Sequence, residues 1–344
     1  MLLILLKIKE KSYGRKKIWS LLVHLSDNMH TFRSDTVLWN DEVWDYILEE
    51  SVKTGINMIV LDVGDAIQWA THPEITVKNG AWTRKRVHTE VKRCREMGIA
   101  LIPKLNFATP HDKWLGEYSQ MISTNTYYRV CDDLIKEVYR TFEEPEYIHL
   151  GFDDEDARHV KSAQLAIYRQ KDQFWHDLRF LLDSVIETGA KPWLWSCPLF
   201  NHPDDFKKHI DPDEVVLSPW NYNAFRKEHW TPVESRAEYV AYYNEGEYAK
   251  MGIKYVEEDP FLVRFREVAL PLLKEGYNYV PCASVFNRCD WNTHDLVEYF
   301  KENAPDNQIL GYMSAPWFNT MPDKKMYFEE TFKFLKEAKE KLYE

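Results

Sequence analysis

Tyr147-Ile-His-Leu-Gly-Phe-Asp-Asp-Glu155 is the stretch from which the fold is read. Alternation with period two puts Ile148, Leu150 and Phe152 on one face and His149, Gly151 and Asp153 on the other. Asp154 and Glu155 then lie just past the carboxyl end. An apolar face for helices to cover, backed by a polar face that ends in acids, describes a strand of a parallel barrel. Seven more runs rich in β-branched and aromatic residues flank it: Ile18 to Ser26, Asn57 to Asp65, Ala100 to Phe107, Pro192 to Cys197, Val215 to Asn223, Tyr279 to Asn287 and Ile309 to Trp317.

Helical periodicity fills the intervals. Val43, Trp44, Ile47, Leu48 and Val52 follow an Asn40 cap, with acids in the first turn and Gly55 as the stop. Val87, Val91, Cys94 and Met97 follow Thr83 and precede Gly98, and Phe174, Leu178, Leu181 and Val185 lead to Gly189. Eight strand-plus-helix units without a Gly-, Pro- or Ser-rich linker predict an α/β protein built as one (β/α)8 TIM barrel over residues 18–344. Residues 1–17 read as an N-terminal extension. The stretch from about 225 to 259 reads as a long insertion after strand six, with a helix near 235–250. A doubly wound sheet is the alternative, but no GxGxxG follows the first strand.

The chain has 344 residues and a formal net charge of -11, which disfavours nucleic acid or an anionic membrane surface as a partner. Its longest apolar run, Met1 to Leu6, is far short of the roughly 18 residues of a membrane helix and carries no export signature. The five cysteines form no CxxC pair, so neither a disulfide framework nor a zinc knuckle is expected, and a reducing, cytoplasmic setting is slightly favoured. Aromatic residues make up 15% of the chain, with 13 Trp, which suits either a very aromatic core or a lined cleft for a neutral sugar. No cofactor or metal is expected, and the chain is expected to be a monomer or homodimer.

The chemistry is expected at the carboxyl ends of the strands. Adjacent Asp153, Asp154 and Glu155 repel one another, so one should have a raised pKa and serve as a general acid. Lys104 and Asn106 face inward from strand three, and a buried Lys104 needs Asp62 or Asp153 as counter-charge. Trp195, Trp220, Tyr222 and Trp317 fall near the ends of strands five, six and eight, where they are expected to ring the mouth and stack on sugar.

These residues resemble those of the family 20 glycoside hydrolases, the β-N-acetylhexosaminidases. The family's His-x-Gly-Gly-Asp-Glu is matched by His149-Leu-Gly-Phe-Asp-Asp154, and its Ile-Pro-Glu-Ile-Asp-x-Pro-Gly-His is similar to Ile102-Pro-Lys-Leu-Asn-Phe-Ala-Thr-Pro-His111. His72-Pro-Glu-Ile-Thr76, Gly80-Ala-Trp82 and Ile309-Leu-Gly311 through Trp317 add to the likeness. The resemblance implies a (β/α)8 barrel and a substrate-assisted mechanism. Asp153 would orient a 2-acetamido group whose carbonyl oxygen attacks the anomeric carbon, and Asp154, or Glu155 reaching in, would protonate the leaving oxygen. Apart from the resemblance, the polar residues at the strand ends, His149, His111, Asp65, Lys104 and Asn106, are read as candidate sugar-binding residues.

The pattern departs from the family in placing Asp154 where the family has Glu, Lys104 and Asn106 where it has Glu and Asp, and Phe286 and Asn287 where it has Tyr. No counterpart of its first-strand Arg lies within Leu21 to Asp27. A conventional two-carboxylate glycosidase would instead need a partner such as Asp65, Asp27 or Glu258, about 5 Å away for retention or about 6.5 Å or more for inversion. The other readings are a sugar-binding protein that has lost its proton donor, and a metal-dependent sugar isomerase or lyase using His149, Asp153, His111 and Asp62.

Overall fold

The computed structural model describes residues 16–28, 33–153, 155, 167, 169–226, 229 and 265–343. Most of the expected insertion after strand six, its helix, and nearly all of the N-terminal extension lie outside the described residues. The strands are β1 (Ile18–His24), β2 (Met58–Asp62), β3 (Ala100–Lys104), β4 (Tyr147–His149), β5 (Lys191–Trp195), β6 (Val216–Ser218), β7 (Asn278–Tyr279), β8 (Cys282–Ala283) and β9 (Gly311–Ser314). All are parallel, in the order β7-β6-β5-β4-β3-β2-β1-β9-β8.

The two ends of that order are neighbours in the chain, and this closes the barrel. β7 pairs with β6, while β8 pairs with β9. Bridges from Trp220 to Cys282 and from Tyr279 to Ile309 carry each pairing across. Pro281 lies between the two segments and has no N–H to give, so the seventh run is split while its neighbours still donate, Val280 N–H to Leu217 and Cys282 N–H to Pro219. The eight expected runs are thus present as a (β/α)8 barrel.

The helices are α1 (Asp41–Thr54), α2 (Arg84–Glu96), α3 (Asn125–Thr141), α4 (Lys171–Thr188), α5 (Cys197–Asn201), α6 (Pro203–His209), α7 (Leu270–Leu273), α8 (Asn292–Asn303) and α9 (Lys325–Tyr343). Asn40 caps α1 by accepting the Val43 N–H, and Gly55 ends it in the left-handed region that a Cβ disfavours. Thr83 caps α2 in the same way through Arg86 N–H. Val52, expected on the buried stripe of α1, is 49% exposed; Ser51 and Thr54 are buried instead, each hydroxyl donating to a carbonyl of its own helix. No described helix is long and apolar enough to cross a membrane.

Period-two alternation sorts the core into two clusters. Trp19, Leu21, Val23, Ile59, Leu61, Ile148, Leu194 and Leu217 belong to the outer one, between sheet and helices. Ile18, Leu22, Met58, Val60, Ile102, Tyr147, Trp193 and Met313 fill the barrel itself. The hydrogen-bonded strands end two to five residues before most of the expected runs do, although single backbone bonds, such as Leu105 N–H to the His149 carbonyl and Phe107 N–H to the Leu150 carbonyl, continue past the last paired residues.

Candidate active site

One layer of the barrel is polar. Register places His24 opposite Asp62, Asp62 opposite Lys104, and Lys104 opposite His149, a continuous row across the last residues of β1 to β4. All four are buried. Lys104 Nζ donates to Asp62 Oδ2, and His24 Nδ1 lies 3.5 Å from the same oxygen. Burial alone would raise the Asp62 pKa, but the Lys104 charge and the His24 hydrogen bond outweigh it and hold the carboxyl at about 2. Asp62, rather than Asp153, is therefore the counter-charge of Lys104.

Burial, helped by the neighbouring Lys104 cation, pushes His149 well below the usual histidine range, so its ring is neutral. Its Nδ1 accepts the Gly151 N–H at 3.0 Å, which leaves the proton on Nε2. That buried Nε2 has no hydrogen-bond partner among the described residues.

Beyond β4 the chain takes two consecutive left-handed residues, Gly151 (φ 76°) and Phe152 (φ 66°). A Cβ on Gly151 would lie 2.0 Å from Asn106 Oδ1, so only glycine permits this approach of the strand-four turn to the strand-three loop. Phe152 still packs in the outer core, against Phe174. Asp153 meets Asn106, whose Nδ2 donates to Oδ1 at 2.7 Å, and His111, whose Nε2 lies 3.2 Å from Oδ2. Asn106 Oδ1 in turn accepts the Ala108 N–H, so the amide cannot flip without losing a bond. The turn, together with the loop after β3, sets the direction of Asp153.

Glu155 is engaged elsewhere. Arg169 Nη1 donates to both of its oxygens at 3.0 and 3.1 Å, and the same guanidinium holds Asp177 through Nε at 2.8 Å and the Tyr127 hydroxyl through Nη2 at 2.7 Å. Burial raises the Glu155 pKa although Arg169 opposes it. Nearby, burial pushes the Asp112 carboxyl well above the usual range, and neither of its oxygens has a partner among the described residues. Asp154 lies outside the described residues, as does Glu258.

The aromatic ring at the mouth is continuous. The Trp195 ring sits 4.8 Å from His149 and 5.5 Å from Trp317, which is 5.7 Å from His24 and 6.0 Å from Tyr222; Trp220 stacks on Tyr222 at 5.0 Å. Trp317 is held at φ 63°, a conformation that a bulky residue adopts at a cost of about 1–3 kcal/mol. The buried indole nitrogens of Trp195 and Trp317 have no partner among the described residues. With His149 Nε2 they put three hydrogen-bond donors in one contiguous aromatic wall, where buried polar atoms are ordinarily satisfied.

Asp65 stands apart from this wall, accepting from Ser26 Oγ at 2.7 Å and from Asn28 Nδ2 at 2.5 Å, with burial raising its pKa to about 6. Asp27 accepts from Asn319 Nδ2 at 2.8 Å, and burial raises it as well. Among the described residues the grouping with metal-ligand spacing is His294, Asp295 and Glu298 on α8. It includes none of His149, Asp153, His111 and Asp62. Sequence reasoning missed Arg169 and Asp112, since neither stands in a periodic or motif position.

No family model and no curated protein matches this sequence. Solved structures do match by shape. The β-N-acetylhexosaminidase from Bacteroides fragilis NCTC 9343 is similar with a TM-score of 0.59 and 12% identity, over 93% of this chain and 65% of that one. Dispersin B is similar at 0.55 and 15%, over 94% and 97%. A Streptomyces plicatus β-hexosaminidase is similar at 0.55 and 12%, over 95% and 68%. The chain thus spans about two thirds of the length of the first and third of these proteins. At these identities the likeness shows that the chain has the barrel fold of those glycosidases.

Proposed function

We propose that this chain is a divergent glycoside hydrolase of the β-hexosaminidase kind, cleaving a β-linked sugar that carries a 2-acetamido group. The observation that carries the reading is the juxtaposition, at the carboxyl end of the barrel, of a twice-held Asp153 with an aromatic wall whose buried donors have no partner among the described residues. A pyranose satisfies both demands, since its apolar face stacks on indole and its hydroxyls accept hydrogen bonds.

In this reading Asp153, its oxygens fixed by Asn106 and His111, accepts the N–H of the 2-acetamido group and stabilises the positive charge that develops as the acetamide oxygen attacks C1. The C1–O bond to the leaving group breaks, and the leaving oxygen takes a proton from Asp154. Water then opens the cyclic intermediate, with Asp154 as the base that accepts its proton. Glu155 is the poorer donor because Arg169 holds both of its oxygens. Lys104, neutralised by Asp62, leaves the barrel floor without net charge, in keeping with a neutral sugar.

The test is turnover of aryl β-N-acetylglucosaminide against the aryl β-glucoside, followed by a series of N-fluoroacetyl substrates. Acetamide participation predicts no cleavage of the glucoside and a rate that falls steeply with each added fluorine. Equal cleavage of both sugars would overturn it. A second reading, a sugar-binding protein without turnover, is favoured by one observation, the shorter Asp154 where the related enzymes have Glu; saturable binding with no cleavage of any glycoside would select it.

A further inference from the structure

His294, Asp295 and Glu298 stand on the first turns of α8, and one ligand atom from each lies within 4.8 Å of the other two. His294 and Glu298 share a helix face at i, i+4 spacing. His294 Nδ1 is 3.7 Å from Asp295 Oδ1 and 3.9 Å from Glu298 Oε2, too far for a hydrogen bond to either. Both ring nitrogens are nonetheless buried and have no hydrogen-bond partner among the described residues. A buried imidazole nitrogen ordinarily has a partner, and a cation shared with the two carboxylates gives Nδ1 one.

The carboxylates are held as metal ligands are held, by outer hydrogen bonds that fix their direction. Asp295 Oδ2 accepts the N–H groups of Phe225 and Arg226 at 3.0 and 3.1 Å, and Oδ1 lies 2.6 Å from His229 Nδ1, whose ring stacks on Trp291 at 3.8 Å. A carboxylate oxygen has two lone pairs, so Oδ1 keeps one for a cation. Arg226 Nη2 is 2.6 Å from Glu298 Oε2 and 3.5 Å from Glu302 Oε1, so it retains Glu302 when Glu298 turns to a metal. Metal binding takes neutral imidazole. With that, the three acids Asp295, Glu298 and Glu302 exceed the Arg226 guanidinium by two charges, which a divalent cation balances.

We propose that His294 Nδ1, Asp295 Oδ1 and Glu298 hold a zinc ion, with water in the fourth position. An imidazole among the ligands favours zinc over calcium or magnesium, which take oxygen ligands. Bonds of about 2.0–2.1 Å in a tetrahedron set ligand atoms about 3.3–3.4 Å apart, so the pairs at 3.7 and 3.9 Å close by about 0.3–0.6 Å. The same Asp295 anchors Phe225 and Arg226, and Asn292 Nδ2 donates to the carbonyls of Asn221 and Asn223. The ion therefore stiffens the loop after β6 that carries Trp220 and Tyr222. It is separate from Asp153 and does not depend on the hydrolase reading.

The test is calorimetric titration of zinc into the full chain after dialysis against chelator, with zinc content measured after gel filtration and melting temperature measured with and without the metal. The wild type should take up one zinc per chain at about pH 7 and melt a few degrees higher with it. His294→Ala should abolish that uptake, and Glu298→Gln, a milder change at a partly exposed position, should weaken it at least tenfold. His72→Ala, which alters a histidine paired with carboxylates elsewhere, should change neither the uptake nor the rise in melting temperature. No uptake by the wild type at micromolar zinc, or wild-type affinity in Glu298→Gln, would overturn the site, and either result decides even where His294→Ala does not fold. Calcium bound as tightly as zinc would overturn the choice of ion.

Discussion

Replacing Lys104 by Met isolates the buried pair at the barrel floor. In the wild type Asp62 has its carboxyl pKa lowered from 3.8 to about 2. A depressed folded pKa contributes stability that is present above 3.8 and lost as pH falls through about 2; the shift corresponds to about 2–3 kcal/mol. Without Lys104 the burial of Asp62 is opposed only by His24, so the folded pKa rises above 3.8 and the sign inverts: stability is then greatest below 3.8 and declines as pH rises. Leaving a buried charge unpaired costs about 3–5 kcal/mol, a large fraction of the roughly 5–15 kcal/mol that holds a domain folded. Lys104→Met should therefore lose about that much at pH 7 and clearly less at pH 4, and adding Asp62→Asn should recover most of it. Urea unfolding of the wild type and both variants at the two pH values measures this. A loss under about 1 kcal/mol at pH 7, or one that is the same at both pH values, would refute the reasoning.

Glu155→Gln, which keeps a carbonyl for Arg169, should melt several degrees lower while retaining turnover within about tenfold; loss of more than about a hundredfold would make Glu155 the proton donor. Gly151→Ala forces a Cβ to within 2.0 Å of Asn106 Oδ1 at φ 76°, so Asn106 should leave Asp153 and turnover should fall about a hundredfold, as for an ångström-scale displacement, with a modest loss of melting temperature. Wild-type kcat in that variant would show that Asn106 does not position Asp153.

The barrel was legible because hydrophobic alternation and helix caps are local signals: Asn40, Thr83 and Gly189 each stand where the sequence puts them. Strand lengths were less legible, since Ser26 and Asn106 continue the alternation after the regular ladder has ended, where their side chains donate to Asp65 and Asp153 beside the remaining single backbone bonds. The inward residues of strands one to four were readable from period two, and Asn106 and His111 do meet at Asp153. What settles the direction of Asp153, however, is a pair of left-handed residues, which a strand pattern does not encode for Phe152. The fate of Glu155 depends on Arg169, 14 residues later in the chain, and no local period announces such a pairing. Asp65 illustrates the same limit: its charge type suggested a sugar contact, but both of its oxygens accept from the first-strand loop.

The most direct test of the central claim is single-turnover and steady-state cleavage of an aryl β-N-acetylglucosaminide by the wild type, Asp153→Asn and Asp154→Asn, with binding of the reaction product measured on each protein. The expected result is that both substitutions lower kcat by about 10²–10⁴ while the product still binds. Wild-type turnover in Asp153→Asn would contradict it.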